Sequence, residues 1–236
     1  MKVLKIVKHF IFLCMFVCIC FFIVTAVQGY LIYRNALGSM SLEQKVESIQ
    51  SKESYTNYED LPQTYINAVI SVEDKRFYSH PGIDMLAIGR AVVNDLKAGS
   101  FIEGGSTITQ QLAKNLYFSQ QKELTRKAAE VFMAFHIENT YDKEEILEIY
   151  LNTIYFGDGY YCVKDASQGY FGKDPSDMSE YECTLLAGIP NAPSVYAPTK
   201  NPQLARRRQL QVFKRMVACG YYSLEQAETV AAQVAY

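Results

Sequence analysis

Two adjacent carboxylates, Glu73 and Asp74, stand between an apolar run and an aromatic–histidine pair in the segment SVEDKRFYSH, residues 71–80. The aromatic–histidine pair is Phe77 and His80. Removing a carboxylate from water raises its pKa toward the range in which it exchanges protons at neutral pH. The alternative is an acidic turn in solvent at the end of a buried helix. We therefore treat this segment as a candidate for proton-transfer chemistry.

A second polar segment follows a loop that contains Phe101 and the pair Gly104-Gly105. It covers residues 106–115, reads STITQQLAKN, and carries three hydroxyls, three amides and a single cation, Lys114. The adjacent glycines predict a mobile loop at its start. Such a segment is either a capped polar surface helix or a set of hydrogen-bonding groups for a ligand.

The predicted helix Leu124–Thr140 carries Arg126 and Glu130 one turn apart. An apolar stripe occupies its opposite face, formed by Leu124, Ala128, Val131 and Phe135. An ion pair on a solvated face is one interpretation. However, further apolar residues continue the Arg126–Glu130 side, namely Met133, Ala134 and Ile137. A charged pair on a helix that is apolar nearly all round predicts the wall of a cleft.

Composition excludes several classes of function. The chain has 236 residues and a formal net charge of −2, which gives no general attraction to nucleic acid. Three of its six cysteines lie in the apolar N-terminal segment and the other three are far apart, with no C-x-x-C pair. Neither a zinc site nor a disulfide framework is indicated.

The N-terminal segment predicts a membrane anchor. Residues 10–27 contain no charge, and the apolar character continues with one Gln to Tyr33, enough to span a hydrocarbon core of ~30 Å. A cleaved signal peptide is the alternative. Three lysines precede the span and only Arg34 follows it closely, so the N-terminus is expected in the cytoplasm and the rest of the chain outside. The predicted division is a tail at 1–9, a transmembrane helix at 10–33, a linker at 34–60 with a short helix over Leu42–Ile49, and a domain at 61–236.

The domain is expected to be mainly α-helical, since no alternating strand pattern of useful length occurs. Start and stop signals predict helices from Pro62 to about residue 72, from Asp84 to Gly99, after Asp142, from Ser179 to Gly188, and from Asn201 to Cys219. The run Arg206–Arg208 is interpreted as a solvated face, or as one that touches lipid phosphates.

Carboxylates in apolar settings beside amide-rich surfaces suit sugar chemistry, and clustered cations suit a phosphate-bearing leaving group. An outward-facing, membrane-tethered enzyme that combined the two would act on a lipid-linked sugar phosphate. No cluster of metal ligands is apparent in the sequence.

Several motifs, in one colinear order over residues 60–225, resemble those of the peptidoglycan glycosyltransferases (glycosyltransferase family 51), here the monofunctional lipid II polymerases. They are EDKRFYSHPG (73–82), GSTITQQLAKN (105–115), RKAAE (126–130), ILEIYLN (146–152), YFGK (170–173), LLAG (185–188) and NAPSVY (191–196). The resemblance implies a lysozyme-like helical fold with a small membrane-associated lobe. It also implies inverting β-1,4 transfer that joins lipid II to a lipid-linked glycan strand and releases undecaprenyl pyrophosphate.

The resemblance further implies residue roles. Glu73 would be the general base for the acceptor's 4-hydroxyl. Glu130 would be the second acidic residue of the catalytic pair, which helps place a divalent cation (Mg²⁺ or Mn²⁺) or the donor pyrophosphate. Phe101 would lie in the membrane-dipping segment. The remaining substrate-binding positions include the cations that would neutralise the pyrophosphate; they are Asp74, Phe77, His80, Ser106, Thr107, Gln110, Gln111, Lys114, Asn115, Lys122 and Arg126.

One departure and several alternatives remain. Where many family members read YGIxAA, this chain has YCVKDA at residues 161–166, which is expected to alter one wall of the donor groove. A lysozyme-type glycan-cleaving enzyme and a non-catalytic membrane scaffold are the rival functions. Ser119-Gln-Gln-Lys122 matches S-x-x-K of penicillin-binding acyl transfer, but no K-T-G accompanies it. A separate transpeptidase is the expected cross-linking partner.

Overall fold

The computed structural model describes residues 2–99, 104–118 and 123–233, and within these the regular structure is helical, with no strand. Twelve α-helices are found in the described ranges. They are α1 (Lys2–Ser39), α2 (Leu42–Gln50), α3 (Gln63–Glu73), α4 (Met85–Ala98), α5 (Ile108–Tyr117), α6 (Leu124–Thr140), α7 (Lys143–Leu151), α8 (Val163–Phe171), α9 (Glu180–Gly188), α10 (Pro193–Tyr196), α11 (Pro202–Ala218) and α12 (Leu224–Ala231). The prediction of a mainly α fold is confirmed.

Local sequence signals set many helix starts. Thr107, Asp142 and Ser179 each accept a hydrogen bond from a backbone amide of the first turn. In each case a Gln or Glu three residues later bonds back to the capping residue's own amide, which forms a capping box. At the end of α4, Gly99 takes the left-handed conformation (φ 64°), which a residue with a Cβ rarely adopts. These boundaries follow the predictions closely because caps and turns depend on neighbouring residues.

The core forms where α3 packs against α9 and α11, and α5 packs against α6 and α7. Helix α7 belongs to this core, because five of its nine residues are buried: Ile146, Leu147, Ile149, Tyr150 and Leu151. The helix expected within segment 34–60 is α2, and its Leu42, Val46 and Ile49 belong to the same core. Part of that predicted linker therefore packs against the domain.

Helix α1 is long and apolar enough over Lys5–Ser39 to cross a membrane, by length and composition. Its apolar side chains are exposed over most of this length, as expected for a helix surrounded by lipid. Beyond residue 28 one side of the helix packs against α6. The anchor and the domain are thus joined through a helix–helix contact as well as through the chain.

Helix α4 carries its apolar residues outward. Met85, Val92 and Leu96 are 72%, 52% and 78% exposed, whereas Ala91 is the buried residue of this helix. The described part of the chain does not cover these apolar side chains. A large exposed apolar face of this kind is typical of a contact with a membrane or another protein.

Candidate active site

A cleft of about 570 Å³ opens at the C-terminal end of α3, between the start of α5 and the helices α10 and α11. Six of the residues predicted for the site line it: Glu73, Asp74, Ser106, Thr107, Gln111 and Lys114. These come from two segments more than thirty residues apart, and they meet because α3 ends where α5 begins. The cleft is mostly polar and its lining includes several cations, which suits an anionic ligand.

Glu73 is the last residue of α3, and the two oxygens of its carboxylate have different surroundings. Oε2 accepts a hydrogen bond of 2.9 Å from the side-chain amide of Gln111. Oε1 is buried and has no hydrogen-bond partner within the described residues. An unpartnered carboxylate oxygen at the edge of a cleft is placed to accept a proton from a ligand hydroxyl.

Burial raises the pKa of Glu73 above its ordinary value, and this is the largest influence on it. The hydrogen bond from Gln111 opposes the rise, as do the positive charges of Arg208 and Lys114. The neighbouring carboxylate of Asp74 adds to the rise. Glu73 therefore has the raised proton affinity that a base working near neutral pH needs.

Gln111 connects Glu73 to the core. Its side-chain oxygen accepts a hydrogen bond of 3.1 Å from the hydroxyl of Tyr150, and Tyr150 is fully buried. Because Tyr150 cannot move without disturbing the core, Gln111 is fixed in the orientation that directs its amide to Glu73.

Replacing Gln111 by Leu is expected to raise the pKa of Glu73 further, because a hydrogen bond to the charged form is lost. The acid limb of the pH profile for kcat/KM should then move to higher pH. Tyr150→Phe is the matched variant, because it keeps Gln111 but removes the hydroxyl that orients it. It should move the acid limb in the same direction, but by a smaller amount. An acid limb that stays in place in Gln111→Leu would show that Glu73 does not control it.

Asp74 supports the site from behind. It is 6% exposed, bonds to the imidazole Nε2 of His80 at 2.9 Å, and accepts a hydrogen bond of 3.1 Å from the amide of Ile108. Burial raises the pKa of Asp74, and the bond with His80 opposes that rise. These bonds hold the end of α3 against the start of α5.

Thr107 and Gln110 are buried and form hydrogen bonds with each other in the capping box of α5. The hydroxyl of Thr107 also donates to the carbonyl of Gly82 at 2.6 Å. Gln110 thus fixes the start of α5. The predicted ligand contacts at Gln110, and also at His80, would be indirect.

A cluster of charged side chains lies on α6, next to the start of α5. Glu130 is 1% exposed and is paired with Arg126 and with Lys127, the latter at 2.8 Å. Lys127 also donates to the hydroxyl of Ser106 at 2.6 Å. Met133 and Ala134 on that side are also buried. The described residues that line the cleft do not include Arg126 or Glu130, so their place in a cleft wall stays a prediction.

Lys127 has an altered proton affinity. Burial and the positive charges of Arg126 and Lys114 lower its pKa to about 8. Burial likewise lowers the pKa of Lys114, with Arg126 as the second cause. Three cations that repel one another are held together here. An anionic ligand that approached them would relieve the repulsion.

Helix α11 adds residues that sequence reasoning missed. Arg208, Gln211 and Arg215 line the cleft opposite α5. Arg208 is held by hydrogen bonds to the carbonyl of Gly188 at 3.3 Å and to Gln211 at 3.0 Å. The solvated-face prediction for the arginine run holds only for Arg207, which is exposed. The helical spacing of the buried residues in α11 was the signal that could have predicted Arg208 beside the core.

Among the remaining predicted residues, Phe77 and Asn115 do not line the cleft. Phe77 is fully buried, with the amine of Lys143 4.5 Å from its ring centre, so it supports the site and does not line it. Asn115 is exposed near the end of α5. Phe101 and Lys122 lie outside the described residues, as does the S-x-x-K segment. The departure at residues 161–166 forms the start of α8 and lines no part of the cleft.

The divalent cation predicted at Glu130 would have to compete with the groups that already surround this carboxylate. Both of its carboxylate oxygens already accept from cations, Arg126 and Lys127. Among the described residues, three potential metal ligands approach one another only at Asp74, His80 and Asp84, where His80 and Arg76 already pair with the carboxylates. The described residues around Glu130 therefore do not by themselves fit a resident metal ion.

Comparisons with known proteins agree with the motifs. The transglycosylase family model matches residues 41–217. Penicillin-binding protein 1A of Aquifex aeolicus is 46% identical over 177 residues, which is 75% of this chain and 24% of that protein. Penicillin-binding protein 1F of Bacillus subtilis is 45% identical over 170 residues, 72% of this chain and 24% of that protein. A crystal structure of penicillin-binding protein 1A from Haemophilus influenzae has a TM-score of 0.47 and 22% identity, covering 77% of this chain and 18% of that one. The chain spans about a quarter of the length of the curated relatives it matches.

Proposed function

This chain belongs to the transglycosylase family, and from that premise we propose that it polymerises lipid II into peptidoglycan glycan strands. The observation that carries the proposal is the buried, unpartnered Oε1 of Glu73 in a cleft that also contains a group of cations. A hydroxyl acceptor and a pyrophosphate leaving group need these two features side by side.

Glu73 acts as the general base. Its Oε1 takes the proton of the acceptor sugar's 4-hydroxyl while that oxygen attacks the anomeric carbon of the donor. The bond from the anomeric carbon to the pyrophosphate breaks, and inversion follows from attack on the opposite face. Gln111 holds the carboxylate in position through its bond to Oε2.

The cations act on the leaving group. Lys114 lines the cleft, and Lys127 reaches Ser106 from α6 with Arg126 beside it. The negative charge that develops on the departing undecaprenyl pyrophosphate is stabilised by these groups, which are partly removed from water. Glu130 holds Arg126 and Lys127 in place through its two ion pairs. Ser106, whose hydroxyl accepts from Lys127, offers its own proton to the sugar and phosphate oxygens, whereas Thr107 holds the start of α5.

A divalent cation, Mg²⁺ or Mn²⁺, is proposed only as a companion of the donor pyrophosphate, with Glu130 as its single protein carboxylate. Mg²⁺ usually binds through one or two carboxylates together with phosphates. No step above depends on it.

The membrane arrangement follows the same proposal. Helix α1 anchors the chain in the bacterial cytoplasmic membrane with its N-terminus inside, as the lysines before the span favour. The cleft then faces the outer surface, where the lipid-linked substrates lie. A transpeptidase that cross-links the new strands would be a partner, and nucleic acid would not.

The test incubates the detergent-solubilised full chain with labelled lipid II and, separately, with glycan strands that carry no lipid pyrophosphate. Long strands from lipid II and no fragments from the second substrate are expected. Fragments from free strands would support a lysozyme-type enzyme. No product from either substrate, in several detergents and with divalent metal supplied, would support the scaffold.

A further inference from the structure

The contact between α1 and α6 is the most extensive between any two helices in the described ranges. Gly29 lies within this contact and is buried, although its neighbours Gln28 and Tyr30 on α1 are exposed. A Cβ atom added to Gly29 would lie 2.5 Å from the Cβ of Ala128 and 2.9 Å from the backbone nitrogen of Ala129. No ordinary packing tolerates such distances, so the two helix backbones approach as closely as they do because residue 29 is glycine.

Aromatic rings extend the contact along the same side of α6. The Tyr30 ring centre lies 5.5 Å from that of Phe132, at an interplanar angle of 76°. Tyr33 lies 6.2 Å from Phe132 and 6.0 Å from His136. Residues 128, 132 and 136 are spaced one turn apart, so the interface follows one line on α6. Edge-to-face aromatic pairs of this kind hold two helices at a set separation.

The same turn of α6 carries the charged cluster. Ala128 and Ala129 lie between Lys127 and Glu130 in the chain, and Lys127 connects α6 to Ser106 at the start of α5. A helix moves as a rigid element over one turn. A displacement at Ala128 therefore changes the distance from Lys127 to Ser106.

We propose that Gly29 is a positioning residue, through which the anchor helix sets the place of Arg126, Lys127 and Glu130 beside the cleft. The anchor helix thus holds the charged cluster of α6 in place in addition to tethering the domain. The effect on turnover rests on the proposed function, whereas the effect on α6 packing does not.

Helix propensity distinguishes the contact of Gly29 with α6 from an effect on the stability of α1 itself. Alanine is favoured over glycine in a helix, so Gly→Ala should strengthen α1 at any position where the Cβ is accommodated. Gly38 lies on the same helix, and a Cβ there would meet nothing within 4 Å. It provides the matched control for Gly29.

The experiment measures hydrogen exchange over residues 124–140 and lipid II polymerisation for the full chain in detergent. Gly29→Ala is expected to speed exchange in α6 about tenfold, because local opening becomes easier. It should also lower kcat/KM about ten- to a hundredfold, as expected for a misplacement on the order of 1 Å. Gly38→Ala should leave both unchanged.

The double variant Gly29→Ala with Ala128→Gly should recover part of both losses, since it removes the 2.5 Å clash and leaves the 2.9 Å approach to Ala129. Ala128→Gly alone controls for the added glycine. Phe132→Leu weakens the interface without a clash and should also speed exchange in α6, which keeps the proposal testable if Gly29→Ala does not fold.

Wild-type exchange and turnover in Gly29→Ala would overturn the proposal. Slower turnover with unchanged exchange in α6 and no recovery in the double variant would overturn it as well. If wild type makes no polymer, the proposed function fails, and the exchange pattern still decides whether Gly29 holds α6.

Discussion

Glu73→Gln is expected to lower the rate of lipid II polymerisation by about a hundred- to ten-thousandfold, the usual contribution of a general base. Glutamine keeps the shape of the side chain and the contact with Gln111, but it cannot accept the proton of the acceptor hydroxyl. The effect should appear in kcat, with KM nearly unchanged, because Glu73 acts on the reacting proton. The measurement is initial rates with labelled lipid II across a range of concentrations.

The same variant should be more stable than wild type at neutral pH. The folded-state pKa of Glu73 is raised by burial, so the stability that the protonated side chain provides at low pH is lost as the pH rises through that pKa. Glutamine avoids this loss. The difference in the free energy of unfolding should vanish below the ordinary pKa range of glutamate, where wild-type Glu73 is protonated in both states.

Glu225→Gln serves as the control, since Glu225 is exposed on α12 and far from the cleft in the chain. It should match wild type in rate and stability. Polymer formed by Glu73→Gln at the wild-type rate would keep the proposed reaction but remove Glu73 as its base.

Glu130→Gln is expected to lower both stability and turnover, because it leaves Arg126 and Lys127 without their carboxylate. Removing one partner of a buried ion pair typically costs 3–5 kcal/mol, and we expect about 3 kcal/mol here because the Lys127 side chain is 42% exposed. Turnover should fall because Lys127 loses the carboxylate that holds its amine beside Ser106. Chemical denaturation and polymerisation rates measure the two effects.

A second substitution separates the effect of an uncompensated positive charge on stability from the effect of the cation's position on turnover. Adding Lys127→Gln to Glu130→Gln removes one of the two cations that Glu130 contacts in the wild type, so part of the stability should return while turnover stays low. Glu123→Gln is the control, since Glu123 is exposed just before α6. A Glu130→Gln protein as stable and active as wild type would contradict the charged cluster's proposed role.

Local sequence signals determined where most helices begin and end. The caps at Asp84, Asp142 and Ser179 were predictable because a capping side chain bonds to amides only two or three residues away. The mainly helical class and the apolar α1 followed from hydrophobic patterning. The family motifs also indicated Glu73, Gln111 and Lys114, and these meet in the cleft.

Tertiary structure alone decided which polar residues share a space. The cleft contacts of Arg208 and Arg215, the bridge from Lys127 to Ser106, and the place of Phe77 beneath the site all join distant segments. The outward stripe of α4 and the packing of α2 into the core also depended on what neighbouring elements leave uncovered. Periodicity gives a helix an apolar face, but only the packing of the whole chain decides what that face meets. The Gly29–Ala128 contact is the clearest case, since nothing near either residue in the sequence predicts that they touch.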